Sequence, residues 1–206
     1  MSDYKDYGFQ SNGITHNFKY LQQPMLDLLN QTSNKCILDL GCGNGYFANY
    51  LISAGYNAYG TDASEKGIAI AKQTNPDRFF VQDLSTGKLP PELQGLKFDT
   101  IISTEVIEHL YDPEGFIAFC KQVLNDKGEI IISTPYHGYL KNLGISLFNK
   151  WDMHMNPTWH GGHIKLWSKA TLSRVLTDAG FTVTDFKGCG RIPYFWMSMI
   201  IKAKLN

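Results

Sequence analysis

Glycines at 41, 43 and 45 follow the apolar run Cys36 to Leu40, and a helix begins near Tyr46. Three small residues within five positions remove side chains where a bound molecule has to lie against the backbone. The helix then aims unpaired N–H groups and the positive end of its dipole at the same place. Strand, glycine turn and helix in that order form a nucleotide-type ligand site. A dinucleotide fingerprint reads Gly-x-Gly-x-x-Gly, and Tyr46 stands where its third glycine would fall, which disfavours NAD.

Carboxylates mark the ends of the neighbouring strand-like runs. Asp39 lies two residues before the first glycine, and Asp62, closing Ala58 to Asp62, lies 23 residues further on, the interval of one β-α-β unit. Phe79 to Gln82 leads to Asp83 and Leu84, and Phe98 to Ser103 leads to Thr104, Glu105, Glu108 and His109. Ligands of an open parallel sheet sit at the carboxyl ends of its strands, beside the point where strand order reverses, so these groups should converge. An aspartate after a strand is also a good helix cap. Beside Asp62, however, Ser64 supplies a cap of its own, and the two roles are compatible.

The elements that must position these residues alternate. Phe18, Leu21, Met25, Leu28 and Leu29 recur at helical intervals and predict an amphipathic helix over 17–30, with Pro24 as a bend. Strands are expected at 36–40, 58–61, 79–82, 98–103 and 129–134, with helices between the first three, the signature of a doubly wound α/β sheet. A further helix spans 113–124, capped by Asp112 with Pro113 in its first position and stopped near Asp126 to Gly128. Ser168 to Gly180 fits another. The strands 181–186 and 195–203 are joined by Gly188-Cys189-Gly190, too short for a crossover helix, so they should pair antiparallel.

The Asp39 to Gly45 run resembles the first motif of class I S-adenosylmethionine-dependent methyltransferases, and the resemblance extends over about residues 33–205. It implies a Rossmann-like, mostly parallel seven-stranded sheet in the order 3-2-1-4-5-7-6, with strand 7 antiparallel. It also implies S-adenosylmethionine as cofactor, contacted by Asp39, Gly41, Cys42, Gly43, Gly45, Tyr46, Phe47, Asp62, Ala63, Asp83, Leu84 and Thr104. Asp62 would take the ribose hydroxyls and Asp83 the adenine amine, with Leu84 beside the ring.

The stretch Glu105-Val106-Ile107-Glu108-His109 is similar to the Glu-x-x-Glu-His segment of the ubiquinone-biosynthesis O-methyltransferase group. In that group the acids and histidine can sit near a divalent metal or the acceptor oxygen. Glu105 contacting the methionine end of the cofactor while His109 packs is the alternative. Methyltransferases acting on base amino groups carry Asn/Asp-Pro-Pro-Tyr/Phe here to hold an extruded base, and Thr104-Glu105-Val106 cannot do that work. A small-molecule acceptor is therefore expected, methylated on a hydroxyl or phenol oxygen, with Glu105, His109 and His137 as the candidate catalytic groups.

Regular alternation stops over 135–167, a length that is uncommon without function inside a compact domain. This segment leaves the carboxyl end of the fifth strand and is expected to form a substrate lid, with a short helix around Leu140 to Asn149. It carries three tryptophans and His137, His154, His160 and His163. No metal site is assigned to its histidines: helical spacing is absent, no cysteine joins them, and Gly161-Gly162 marks a turn.

At 206 residues, one domain is expected, with residues 1–32 as an N-terminal helical segment. Nineteen basic and nineteen acidic residues cancel, so no global field favours nucleic acid or an anionic membrane. Cysteines 36, 42, 120 and 189 form no Cys-x-x-Cys pair, the first residues are polar rather than a signal, and Ile192 to Ile201 is too short to span a bilayer. A cytoplasmic enzyme without a transmembrane segment is expected, its oligomeric state left open. An NAD-linked oxidoreductase and a non-catalytic adenosylmethionine-binding protein are the competing functions.

Overall fold

A computed structural model describes residues 8–14, 18–29, 33–159 and 161–206 of the chain. The seven strands are β1 (Cys36–Leu40), β2 (Asn57–Asp62), β3 (Phe79–Val81), β4 (Phe98–Thr104), β5 (Leu124–Pro135), β6 (Phe181–Cys189) and β7 (Ser198–Leu205). They form one sheet in the order β3-β2-β1-β4-β5-β7-β6, as the family resemblance implies. The pairs from β3 through β5 are parallel, and β7 runs antiparallel to both β5 and β6. Strand order therefore reverses between β1 and β4, and the glycine loop leaves β1 at that reversal.

Period-two alternation loads both faces of the sheet. Leu38, Leu40, Ile101, Ile130, Ile132 and Ile201 point to one side and pack with helices α4 (Pro113–Val123) and α7 (Lys169–Asp178). Ile37, Ile102, Ile131 and Ile200 point to the other and pack with α1 (Phe18–Leu26) and α2 (Tyr46–Ser53). Helix α3 (Glu65–Ala71) closes a third cluster, in which Ile68 and Ala71 meet Ala48 and Phe79. Strands apolar on both faces are what a sheet covered on both sides requires.

Several local signals hold to the residue. Asp112 accepts from the Gly115 N–H at 2.8 Å with Pro113 first in α4. Ser168 and Thr171 form a reciprocal capping box at the start of α7.

Others need correction. Helix α1 ends at Leu26, with Leu28 and Leu29 in the turn after it, while the expected ends at 17 and 30 lie outside the described residues, as do 1–7. Helix α4 stops at Val123 rather than running to 124, and Leu124 already pairs with Phe98, because Asn125 to Gly128 form an irregular entry to β5. Gly188 and Cys189 belong to β6, and residues 190–197 make the connection to β7, closed by the Met197 N–H on the Cys189 carbonyl at 2.8 Å. The expected final strand thus begins at Ser198.

The stretch after β5 holds two helices, α5 (Tyr139–Leu147) and α6 (Trp151–Met155), the second not anticipated. Its ends are pinned together: Tyr136 bridges to Trp167, and the His137 N–H donates to the Trp167 carbonyl at 3.0 Å. No helix among the described residues is long and apolar enough to cross a membrane.

Candidate active site

The glycine loop is sewn onto the neighbouring strand. The N–H groups of Gly41 and Cys42 both donate to the Thr61 carbonyl, at 2.8 and 2.9 Å. Gly41 has φ 77°, and a Cβ there would collide with Val106, so both backbone and space demand glycine. Gly45, at φ 71°, caps α2 without a side chain and would meet Ala71 if it had one.

Asp62 holds the loop from the other side. Its Oδ2 accepts from the Gly43 N–H at 2.8 Å and its Oδ1 from the Ser64 N–H at 2.7 Å. Ser64 in turn accepts from the Gly67 N–H at 2.9 Å and caps α3, so the two roles coexist. Asp39 is buried with Oδ1 lacking a hydrogen-bond partner, and burial, reinforced by the charge of Asp62, lifts its pKa to about 7. Burial likewise pushes the Cys42 thiol well up, with Asp39 and Asp62 adding to it.

Asp83 accepts from the Ser85 N–H at 2.9 Å, capping a single turn that contains Leu84. Ala63 and Leu84 are half-buried at the ends of β2 and β3, and Thr104 at the end of β4 has an Oγ1 that is buried without a partner. Tyr46 and Phe47 turn toward α1: the Tyr46 hydroxyl donates to Gln22 at 3.1 Å, and the Phe47 ring lies 4.9 Å from that of Phe18 in the core. Their side chains are part of the scaffold beneath the loop.

The end of β4 differs in character. Glu105 adopts φ 54°, a strained value for a residue with a side chain, and both its carboxylate oxygens are occupied, by Ser133 Oγ at 2.8 Å and Ser198 Oγ at 3.1 Å. Burial raises its pKa to about 7 despite those hydrogen bonds and Lys141. Glu108 is 1% exposed. Its Oε2 accepts from Thr134 Oγ1 at 3.0 Å, whereas Oε1 has no hydrogen-bond partner and lies 3.9 Å from His109 Nε2 and 4.0 Å from His163 Nε2. Burial, then the charge of Glu105, keeps this acid well above the usual carboxylate range, which favours the neutral form.

Two histidine pairs come from the segment that follows β5 and from the turn after β4. His109 lies 4.9 Å from His163, ring to ring, and His137 lies 5.2 Å from His154. His109 Nδ1 contacts the Gly162 carbonyl at 3.2 Å, and His137 Nδ1 contacts Asn142 Oδ1 at 3.1 Å. A carbonyl oxygen can only accept, so each ring donates from Nδ1 and keeps a lone pair on Nε2. Burial lowers the pKa of all four rings, to about 4 for His137 and His163, which keeps them neutral near pH 7.

One atom each of Glu108, His109 and His163 lie within 4.8 Å of one another, close enough to gather around a divalent cation. His160 lies outside the described residues. A cavity of about 220 Å³ is lined by His109, His163, Trp159, Met155 and Asn156.

A family model for the methyltransferase domain matches residues 14–185. The chain belongs to the class I S-adenosylmethionine-dependent methyltransferases. It is similar to a probable S-adenosylmethionine-dependent methyltransferase of Mycolicibacterium smegmatis, 29% identical over 161 residues that cover 78% of this chain and 57% of that protein. The methyltransferase thus spans little more than half the length of that relative.

A ubiquinone biosynthesis O-methyltransferase of Aromatoleum aromaticum is 24% identical over 86% of this chain and 77% of its own length. Among solved structures, magnesium protoporphyrin IX methyltransferase of Synechocystis with bound SAH superposes with a TM-score of 0.69 over 97% of this chain and 91% of that one, at 21% identity. The fold is shared, and S-adenosylmethionine is the cofactor.

Sequence reasoning about this methyltransferase placed the glycine loop, Asp62 and the β4 end where they stand. It missed Ser133, Ser198 and Thr134, which hold the two glutamates, and Asn142, which orients His137. A polar residue such as Ser133 or Thr134 ending an otherwise apolar strand was the available signal. Nothing local marks Ser198.

Proposed function

We propose that this chain transfers the methyl group of S-adenosylmethionine to an oxygen of a small-molecule acceptor, in the cytoplasm, as one catalytic domain whose segment 135–167 is the acceptor lid. The sulfonium already activates the methyl group, so the protein's part is to align donor and acceptor and to take one proton. Asp62 receives the ribose hydroxyls, Asp83 the adenine amine, and the backbone of 41–45 lies beneath the methionine end. His109 is the base. The observation that carries this reading is that His109 lines the cavity formed with Trp159 and His163, while its Nδ1 is tied to Gly162. That leaves a neutral Nε2, 3.9 Å from Glu108 Oε1, to receive the acceptor's proton.

His137 is the reserve candidate, its Nε2 enclosed and partnerless. Glu105, fully engaged by two serines, acts by position: it braces the β4 turn against β5 and β7. The names of the O-methyltransferase relatives support oxygen as the acceptor atom. The family match supports adenosylmethionine over NAD. Incubating the protein with methyl-labelled adenosylmethionine and a panel of phenols, alcohols and amines tests the proposal; label on amines alone, or on none, would overturn it.

A second reading has one observation in its favour, the Oε1 of Glu108, which makes no hydrogen bond and faces the Nε2 atoms of His109 and His163. A divalent cation held there would polarise the acceptor oxygen in place of a base. Elemental analysis of the purified protein and activity after chelation separate the two readings.

A further inference from the structure

Asn44 is buried between two glycines that both have positive φ, and its amide is almost fully engaged. The Nδ2 group donates to the carbonyls of Ser11 at 2.7 Å and Gly13 at 3.0 Å, and Oδ1 accepts from the Tyr46 N–H at 3.2 Å. The last bond does work that the cap residue cannot. Gly45 has no side chain, so Asn44 satisfies one of the orphan donors of the first turn of α2. The first two bonds reach some thirty residues back along the chain and clamp segment 8–14 onto the loop.

The clamp has a second contact. The Phe9 ring lies against both Gly43 and Gly67, so that a Cβ at Gly43 would come within 2.7 Å of it and one at Gly67 within 3.1 Å. Gly43 is the residue whose N–H is bound by Asp62, and Gly67 sits in the first turn of α3. Phe9 therefore spans the glycine loop and the first turn of α3.

We propose that residues 8–14 are a strap that Asn44 latches over the glycine loop, and that tight binding of adenosylmethionine requires the latch to be closed. A loop of glycines is soft, because those residues gain the most conformational freedom when released. Three hydrogen bonds from one side chain remove that freedom before the cofactor arrives, so the cofactor is spared part of the ordering cost. By linkage the cofactor must then stabilise the latched strap to the same degree. The latch rests on the proposed placement of adenosylmethionine at the glycine loop and is independent of the acceptor and of the base.

Two substitutions isolate the latch. Asn44→Asp keeps an oxygen for the Tyr46 N–H and loses both donors to Ser11 and Gly13; Phe9→Ala leaves Asn44 untouched. Binding of adenosylhomocysteine to the chain of residues 1–206, followed by calorimetry, should weaken about tenfold in each, within the usual range of coupling between sites. Hydrogen exchange of segment 8–14 should slow on adding adenosylhomocysteine to the wild type and change far less in Asn44→Asp. Affinity that is unchanged or tighter in both variants, or exchange in 8–14 that ignores the ligand in the wild type, would overturn the latch.

Discussion

The two halves of the site are built differently. Around the cofactor loop the contacts are backbone-rich and close in sequence: Gly41 and Cys42 on Thr61, Gly43 and Ser64 on Asp62, all within β1, β2 and the turns after them. Around the proposed lid, partners arrive from far along the chain, and the helices are shallow. Helix α5 has no buried residue, and Tyr139, Leu147, Phe148 and Met153 are each more than 70% exposed. The first half is a rigid frame, as the proposed cofactor site requires. The second can vary its surface at little cost to the core, and that suits the acceptor lid proposed for it.

The largest effect expected from testing this contrast is on turnover. His109→Ala should lower kcat by about 10²–10⁴ while leaving adenosylmethionine affinity within about twofold; a variant with full turnover would return His109 to a packing role. Asp62→Ala is the converse case, since the ribose loses an ionised acceptor and the loop loses its anchor. Cofactor affinity should fall about a hundredfold or more, at about 1.5–3 kcal/mol for each hydrogen bond to a charged group, and calorimetry reads it directly.

Stability should divide the same way. Leu51→Ala opens the core beneath α2 and should cost about 2–5 kcal/mol in denaturant unfolding. Leu147→Ala, 72% exposed on α5, should stay within about 0.5 kcal/mol. Equal losses would mean that the lid is as much core as the cofactor half.

The smallest effect is on pH dependence, and the halves have opposite signs. Asp39 titrates at about 7 in the folded chain against 3.8 unfolded, so its contribution is present below the unfolded value and lost as pH rises toward 7. His137 titrates at about 4 against 6.5, so the unfolded chain binds its proton first and stability falls as pH drops from 6.5 to 4. Asn142, Lys141 and His154 surround that ring. Melting temperature followed from pH 4 to 8 should show Asp39→Asn removing a loss that accrues as pH rises from about 4 to 7 and His137→Gln removing a loss that accrues as pH falls through the same range. A shared direction for both variants would contradict these assignments.

Legibility followed the range of the interaction. The glycine turn and the Ser64, Asp112 and Ser168 caps were readable because each depends on residues within a few positions, and Asp62 because one β-α-β unit fixes its interval from Asp39. The end of α4 and the turn before β7 were misplaced, because strand pairing with Phe98 and Cys189 overrode local glycine signals. The partners of Glu105 and Glu108 were invisible, and so was the hold of Asn44 on Ser11.

Sequence alone determined the alternation of strands and helices and the small-residue turn after the first strand, since periodicity and backbone sterics act locally. Tertiary structure alone decided that Ser198, 93 residues away, secures Glu105, that His163 stands opposite Glu108, and that α5 keeps its leucines in solvent. Those outcomes depend on which strand ends the sheet order brings side by side, and no local pattern encodes the distance between residues that meet only after the chain has closed on itself.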